Sequence, residues 1–151
     1  MRKEWKKEVS AGGVVYRLGK DGPEVLLIWP EKGYGDREVK EVWTFPKGWI
    51  GDHGEETMEE AALREVREEG GVVAKIIAAL GDTNYTFASE GVNIDKTVHY
   101  YLMEYISGDT KDHDHEVREA RWFLLDEAGK RLTYGTEKGL LDEAKEYIVK
   151  D

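Results

Sequence analysis

Residues 48–72 decide the fold, and they read Gly48-Trp49-Ile50-Gly51-Asp52-His53-Gly54-Glu55-Glu56-Thr57-Met58-Glu59-Glu60-Ala61-Ala62-Leu63-Arg64-Glu65-Val66-Arg67-Glu68-Glu69-Gly70-Gly71-Val72. After a loop that contains glycine, the segment from about residue 56 to 69 has helical spacing, and the paired glycines that follow are a signal for a helix end. At about 100° per residue, one arc of this helix is apolar and carries Ala62, Leu63 and Val66, with Met58 near its edge. The pattern therefore predicts an amphipathic helix packed on a core.

The polar face of this helix carries three carboxylates, because Glu65, Glu68 and Glu69 fall within one arc of roughly 100°. Ionised carboxylates packed side by side repel one another, and cations among them would relieve that cost. Hard oxygen ligands of this kind suit Mg²⁺ or Mn²⁺. Arg64 lies within reach of Glu68 and Glu56, and an arginine fixed in this way could hold Glu65 or the loop. On spacing alone, a solvated surface helix with ion pairs explains the pattern equally well.

The composition is that of one globular domain. The chain has 151 residues, of which 40% are hydrophobic and 36% charged, and we interpret residues 1–151 as a single domain. No apolar run approaches the roughly 20 residues that a membrane span needs, and the basic N-terminus is not followed by the apolar core of a signal peptide. Cysteine is absent, which excludes disulfides and thiolate metal sites and favours a cytoplasmic location.

The formal net charge of −10 constrains the partners. An acidic surface repels nucleic acid, so we expect neither a nucleic-acid nor a membrane partner. The same surface repels a small phosphate compound unless bound divalent cations reverse the local field. If the protein handles phosphates, it should require metal.

The remaining segments predict strands and two further helices. Residues 30–42 are expected to form a loop, and Trp43-Thr44-Phe45 is a short apolar segment that ends at Pro46. A short helix begins at Asp126, and helical spacing predicts a closing helix over 136–149. The predicted strands cover residues 9–17, 25–29, 72–80, 84–87, 96–105 and 120–125. This order predicts an α/β (α+β) architecture, with a mixed sheet between helical layers.

The run Arg64-Glu65-Val66-Arg67-Glu68-Glu69-Gly70-Gly71-Val72 resembles the second half of the Nudix box, R-E-U-x-E-E-x-G-U, at every specified position. Seven residues separate Glu56 from Arg64, as the box requires. One spacing departs from the pattern, because seven residues instead of five lie between Gly48 and Glu56. We interpret this departure as a two-residue insertion within residues 51–54, where a loop accepts extra length at little cost.

The similarity to Nudix proteins extends from about residue 10 to residue 128. It includes segments on both sides of the box, at residues 10–15, 43–48, 96–102 and 115–123. The resemblance implies the Nudix fold, a mixed sheet with helices on both sides. It also implies hydrolysis of a diphosphate linkage in a nucleoside compound, with Mg²⁺ as cofactor and Mn²⁺ as a substitute.

Roles follow from the resemblance position by position. It implies that Glu68 and Glu69 are the principal metal ligands, that Glu65 is a further ligand or the general base, and that Arg64 and Glu56 form a structural pair.

Three positions outside the helix receive roles in the same way. The Gly48 carbonyl is an expected metal ligand, although the insertion bears on its position. Glu116 matches a later acidic residue that many members use for metal or water activation, and an ordinary loop carboxylate is the alternative. Lys47 is an expected phosphate contact, with simple exposure as the alternative.

Within the family, residues 96–102 and His115-Glu116 look most like the diadenosine tetraphosphate hydrolases, which produce ATP and AMP. That likeness makes Lys96, Tyr101 and Tyr85 candidate substrate contacts. Strand alternation, however, directs Lys96 and Tyr101 to opposite faces, so a straight strand cannot bring both to one small pocket. The alternative role for each tyrosine is an ordinary strand residue with a buried ring.

Other functions remain open at this point. The substrate could be an oxidised nucleoside triphosphate, ADP-ribose, capped RNA or a diphosphoinositol compound, and the acidic charge argues against the RNA. A nucleotide-binding module without catalysis is a different class, against which the complete acidic set of the box argues. We expect a small nucleoside polyphosphate as partner and either a monomer or a homodimer.

Overall fold

The computed structural model describes residues 4–31, 41–51 and 54–148. In this part of the chain the strands are β1 (Trp5–Gly19), β2 (Gly22–Pro30), β3 (Lys47–Trp49), β4 (Val72–Ser89), β5 (Val92–Gly108) and β6 (Val117–Leu124). The α-helices are α1 (Met58–Gly70), α2 (Leu125–Arg131) and α3 (Gly135–Ile148), and a short 3₁₀ helix covers Thr110–Asp112. None of these helices combines the length and the apolar composition that a bilayer crossing needs.

The strands form one mixed sheet in the order β4-β5-β1-β2-β6. The central pair β1 and β5 is parallel, with Trp5 opposite Asn93 and Tyr16 opposite Glu104. The other pairs are antiparallel, and β3 joins β1 through three residues, with Gly12 opposite Lys47. This pairing places β3, where the loop before α1 begins, against the central strand β1.

Helices cover both faces of the sheet, which confirms the predicted mixed sheet between helical layers. On one face α1 packs against a core that contains Ala11, Val15, Leu26, Ala62, Val66, Tyr101 and Met103. On the other face α2 and α3 cover a larger core that contains Val14, Leu27, Phe45, Val98, Tyr100, Phe123, Leu140 and Leu141. Alternation along the strands directs neighbouring side chains to the two cores in turn.

Helix α1 has defined ends at both termini. Thr57 is the N-cap, and its side chain accepts a hydrogen bond from the Glu60 amide while the Glu60 carboxylate accepts one from the Thr57 amide. Gly71 ends the helix in the left-handed region at φ 77°, a conformation that glycine adopts without strain. The helix predicted around residues 56–69 is therefore confirmed, with its boundaries at Met58 and Gly70.

Three strand predictions differ from the structure. The segments expected at 72–80 and 84–87 are one continuous strand, β4, whose pairing with β5 shifts register between Ala79 and Gly81 among other places. Strand β1 begins earlier than expected because its first residues pair with β5. Lys47–Trp49 is a strand that was not predicted. Most of the predicted loop at 30–42, and Asp52 and His53 of the expected insertion, lie outside the described residues.

Candidate active site

Arg64 is the centre of an ion-pair network at the start of α1. Its Nε and Nη2 donate to the two carboxylate oxygens of Glu56 at 3.0 and 2.6 Å, and Nη1 donates to Glu65 at 2.7 Å and to Glu68 at 3.1 Å. Nη2 also donates to the carbonyl oxygen of Trp49 at 3.0 Å. The bidentate bond to Glu56 raises the pKa of Arg64, so the guanidinium stays charged and ties the loop to the helix.

Glu56 extends this network into the loop before α1. Its Oε1 accepts a hydrogen bond from the Gly51 amide at 2.9 Å. Gly51 is thereby tied to Glu56 and through it to Arg64 of α1, and the Gly54 amide donates to the Gly51 carbonyl oxygen at 3.2 Å. The structure thus places Glu56 and Arg64 together, in the arrangement that a structural pair requires.

Strand β3 lies directly against the carboxylates of α1. The Lys47 amide donates to Glu69 Oε1 at 2.9 Å. The buried Glu65 carboxylate lies so close to Gly48 that a Cβ at that position would overlap it. A Cβ at position 48 would therefore displace the Glu65 carboxylate that Arg64 binds, and Gly48 stays beside Glu65 despite the altered spacing of the loop.

The chemistry of this set fits a divalent cation. Burial raises the pKa of Glu69 to about 8, opposed by its bond to the Lys47 amide and by the Lys47 charge, and the charges of Glu65 and Asp114 raise it further. Gathering these carboxylates is therefore costly in the absence of a cation. Among the described residues, no three acidic or histidine side chains already form a metal cage, and Arg64 binds one oxygen each of Glu65 and Glu68.

The loop after β5 adds an acidic side chain, Asp114, from the segment Asp112-His113-Asp114-His115-Glu116, whose composition allows either loose metal binding or an ordinary polar loop. The Asp114 amide donates to the carbonyl oxygen of Glu68 at 2.7 Å, which fixes this loop to the end of α1. The Asp114 charge is near enough to raise the pKa of Glu69. Two residues later, the side chain of Glu116 is exposed. Its carbonyl oxygen accepts a hydrogen bond from the Glu31 amide, and its amide donates to the Asp114 carboxylate. Of these two acidic residues, Asp114 is the one whose charge raises the pKa of Glu69.

The side chains of two lysines, Lys47 and Lys96, lie on the face of the sheet opposite to the one that Gly48 presents to α1. Both lysines are 8% exposed. Lys47 donates from Nζ to Thr44 Oγ1 at 3.2 Å, and burial lowers its pKa against the charges of Glu137, Glu69 and Glu65. Burial and the nearby Lys47 charge lower the pKa of Lys96 to about 8. Lys47 is therefore not simply exposed, and the two lysines form a buried cationic pair.

Aromatic rings lie on the same face of the sheet as this lysine pair. Tyr85 is opposite Lys96 in the β4–β5 ladder, and its ring is parallel to that of Tyr134 with centroids 6.5 Å apart. Tyr101 instead lies on the opposite face, in the core beneath α1. Because neighbouring residues of a strand alternate, Tyr101 does not line the same site as Lys96, and its role is that of a core residue.

Three residues of this region were not singled out from the sequence: Thr44, Tyr134 and Glu137. Glu137 lies in the first turn of α3 and Tyr134 directly precedes that helix. Only the docking of α3 brings Glu137 to Tyr100 of β5 and Tyr134 to Tyr85 of β4. The one available signal was a charged residue, Glu137, on the same helical face as Leu140, Leu141 and Ala144. A carboxylate on an apolar face requires a polar partner in the core.

Carboxylates on a helix next to buried lysines are typical of enzymes that bind phosphates through divalent cations. The chain belongs to the Nudix hydrolase family, since the NUDIX domain profile matches residues 6–143. Members of this family generally use a divalent metal ion. The predicted family and fold are therefore confirmed.

Three similar proteins place the chain within this family. It is 42% identical over 143 residues to the putative mutator protein MutT4 of Mycobacterium tuberculosis, an alignment that covers 95% of this chain and 56% of that protein. It is 29% identical over 140 residues to the asymmetrical bis(5'-nucleosyl)-tetraphosphatase of Caenorhabditis elegans, covering 93% and 96% of the two chains. A crystal structure of a C. elegans Ap4A hydrolase binary complex has a TM-score of 0.74 at 24% identity over 95% and 99%, which supports the fold.

Proposed function

We propose that this protein hydrolyses a phosphoanhydride bond of a dinucleoside polyphosphate in a Mg²⁺-dependent reaction, and that diadenosine tetraphosphate is cleaved to ATP and AMP. The observation that carries the proposal is the juxtaposition at β3. Lys47 faces the second buried lysine, Lys96, while the adjacent Gly48 faces Glu65 and the Lys47 amide binds Glu69. A site that binds a polyphosphate chain needs cationic side chains and also carboxylates that hold a cation. The two sets must lie no farther apart than the length of that phosphate chain.

The acidic residues would hold the cation. Glu68 and Glu69, with Glu65 and the Gly48 carbonyl oxygen, supply the hard oxygen ligands that Mg²⁺ or Mn²⁺ prefers, and Glu116 is a further candidate. A bound cation supplies an activated water and neutralises phosphate charge.

The chain's own residues perform the remaining steps. Glu65 is buried against Gly48 and would accept the proton of the attacking water, if it is not itself a metal ligand. Arg64 keeps Glu65 and Glu68 in position through its bonds to both and to Glu56. Lys47 and Lys96 would bind the phosphate oxygens, and their partial burial strengthens that attraction because few water molecules compete with it.

The tyrosines would bind a nucleobase. The parallel rings of Tyr85 and Tyr134 lie beside Lys96, and flat aromatic faces stack on any base. One base at this position and a phosphate chain along the lysines describe a nucleotide with several phosphates. The name of the C. elegans relative, an asymmetrical bis(5'-nucleosyl)-tetraphosphatase, supports the same choice.

A second candidate is hydrolysis of a different nucleoside diphosphate compound. The M. tuberculosis relative is named a putative mutator protein, and the chain spans 56% of its length, so the names of the relatives do not agree on one activity. An oxidised nucleoside triphosphate, ADP-ribose and a diphosphoinositol compound therefore belong in the same assay.

The test is turnover of this panel with Mg²⁺, with the products separated by chromatography. We expect diadenosine tetraphosphate to give ATP plus AMP at the highest kcat/KM, and Tyr134→Ala to raise its KM more than that of inorganic tripolyphosphate. A higher kcat/KM for another compound would transfer the assignment to that compound. The absence of turnover of any compound would favour a binding module and would reject the proposal.

A further inference from the structure

A buried polar chain connects α3 with Lys47. Glu137, which is 3% exposed, accepts hydrogen bonds from the Thr44 hydroxyl at 2.7 and 2.5 Å, one to each carboxylate oxygen. The same Thr44 oxygen accepts a hydrogen bond from Lys47 Nζ at 3.2 Å. The Thr44 hydroxyl group therefore bridges the Glu137 carboxylate and the Lys47 ammonium group by hydrogen bonds.

Glu137 and Thr44 are each fixed by further contacts. The Glu137 carboxylate also accepts hydrogen bonds from the Tyr100 hydroxyl at 2.9 Å and from the Phe45 amide at 3.3 Å. The main chain of Thr44 exchanges two hydrogen bonds with Ile28 of β2, at 2.8 and 3.0 Å. The Thr44 hydroxyl thus has little freedom to move, and neither does the carboxylate to which it donates.

We propose that Thr44 and Glu137 are positioning residues that hold the Lys47 ammonium group in the orientation that binds substrate phosphate. Lysine is a flexible point charge with three donors, and its affinity for a phosphate depends on how much orientation is lost on binding. This proposal rests on the phosphate-binding role given to Lys47 above.

Matched variants separate this role from simple packing. Thr44→Val deletes the hydroxyl at constant shape, Thr44→Ser restores it, and Thr44→Ala repeats the deletion should valine prevent folding. Thr83→Val is the matched control. Thr83 is a buried threonine of β4, 4% exposed, that lies opposite Val98 and takes no part in the hydrogen bonds that join Glu137, Thr44 and Lys47.

The first measurement does not require turnover. In a ¹H–¹⁵N NMR spectrum of lysine ammonium groups, we expect a protected signal that disappears in Lys47→Arg and is thereby assigned to Lys47. It should shift or broaden in Thr44→Val, return in Thr44→Ser and stay unchanged in Thr83→Val. An absent signal in the unsubstituted protein, or an unchanged signal in Thr44→Val, would overturn the proposal whatever the substrate is.

The second measurement is steady-state hydrolysis of diadenosine tetraphosphate with Mg²⁺, or of the compound of the panel with the highest kcat/KM. Thr44→Val should raise KM about tenfold with kcat within about twofold, because uniform phosphate binding is lost. Thr44→Ser should restore KM, and Thr83→Val should not change it. If Lys47→Met raises KM but Thr44→Val does not, the positioning role is wrong while the proposed function stands.

Discussion

At the scale of single residues, three charged groups of the site, Arg64, Glu69 and Lys47, are each held by a partner from another segment. Arg64 binds Glu56 from the loop, Glu69 binds the main chain of β3, and Lys47 is bound through Thr44 to α3. Side chains fixed in this way lose little freedom when a ligand binds. The arrangement is preorganised at the level of individual atoms.

Substitution of the carboxylates tests their assignment as metal ligands. Glu68→Gln and Glu69→Gln should each lower kcat at least about a hundredfold, because a ligand of the cation is lost. The melting temperature should change little, since one of several repelling charges is removed. Glu59→Gln, an exposed position of the same helix, is the control and should retain full activity. Normal turnover in both ligand variants would refute their roles.

The pKa of Lys96 gives a pH dependence. Since burial and Lys47 lower this pKa to about 8, the ammonium group loses its proton as the pH rises through that value, and its attraction for phosphate is lost. Because the pH dependence of kcat/KM reports the ionisation of the free enzyme, kcat/KM should fall above about pH 8 when measured from about pH 6.5 to 9.5. Lys96→Arg stays charged throughout and should remove this fall. An equal fall in both proteins would show that another group titrates.

At the scale of elements, the close contact between β3 and α1 places the carboxylates of α1 next to Lys47 and Gly48. The three residues of β3 present Lys47 to one face and Gly48 to the other. A strand this short is stabilised by its neighbours more than by its own sequence.

Gly48→Ala tests the contact between β3 and α1. The added Cβ would overlap the Glu65 carboxylate, so we expect the free energy of unfolding to fall by about 1–3 kcal/mol and turnover to fall with it. The matched substitution is Gly139→Ala in α3, where a Cβ meets nothing within 4 Å. It should raise the free energy of unfolding by about 0.5–1 kcal/mol in urea denaturation. Equal effects at both positions would contradict the predicted overlap.

The elements also explain which parts of the site could be predicted. Helix α1 was predicted because its caps and its carboxylates are encoded within about fifteen consecutive residues. The β4 strand was divided in two because irregular pairing near Gly81 breaks the alternation that the prediction uses. The Thr44–Glu137 bond joins residues 93 positions apart, so local pattern carries no information about it. The direction of Tyr101 away from Lys96 followed from alternation alone.

At the scale of the whole molecule, the net charge of −10 makes cation binding a stability term. A ligand that binds the folded chain and not the unfolded chain stabilises it in proportion to the logarithm of its concentration. Millimolar Mg²⁺ should therefore raise the melting temperature more than KCl of equal ionic strength does.

This prediction has a matched variant and a kinetic counterpart. Glu69→Gln should show a smaller Mg²⁺-dependent rise in melting temperature than the unsubstituted protein. EDTA should abolish turnover, and added Mg²⁺ should restore it. A reaction that resists the chelator would refute the metal mechanism.

The parallel pairing of β1 with β5 sets the order of assembly on the ribosome. Tyr16 and Glu104 are 88 positions apart, and translation at about 5–20 residues per second separates their appearance by on the order of ten seconds. During that interval the edge of β1 that pairs with β5 has no partner, whereas β1 and β2 are neighbours in sequence and can pair as an antiparallel hairpin at once. The β1–β2 hairpin should therefore form early and the β1–β5 pairing late, so nascent chains are most exposed to aggregation and to chaperones before β5 has emerged.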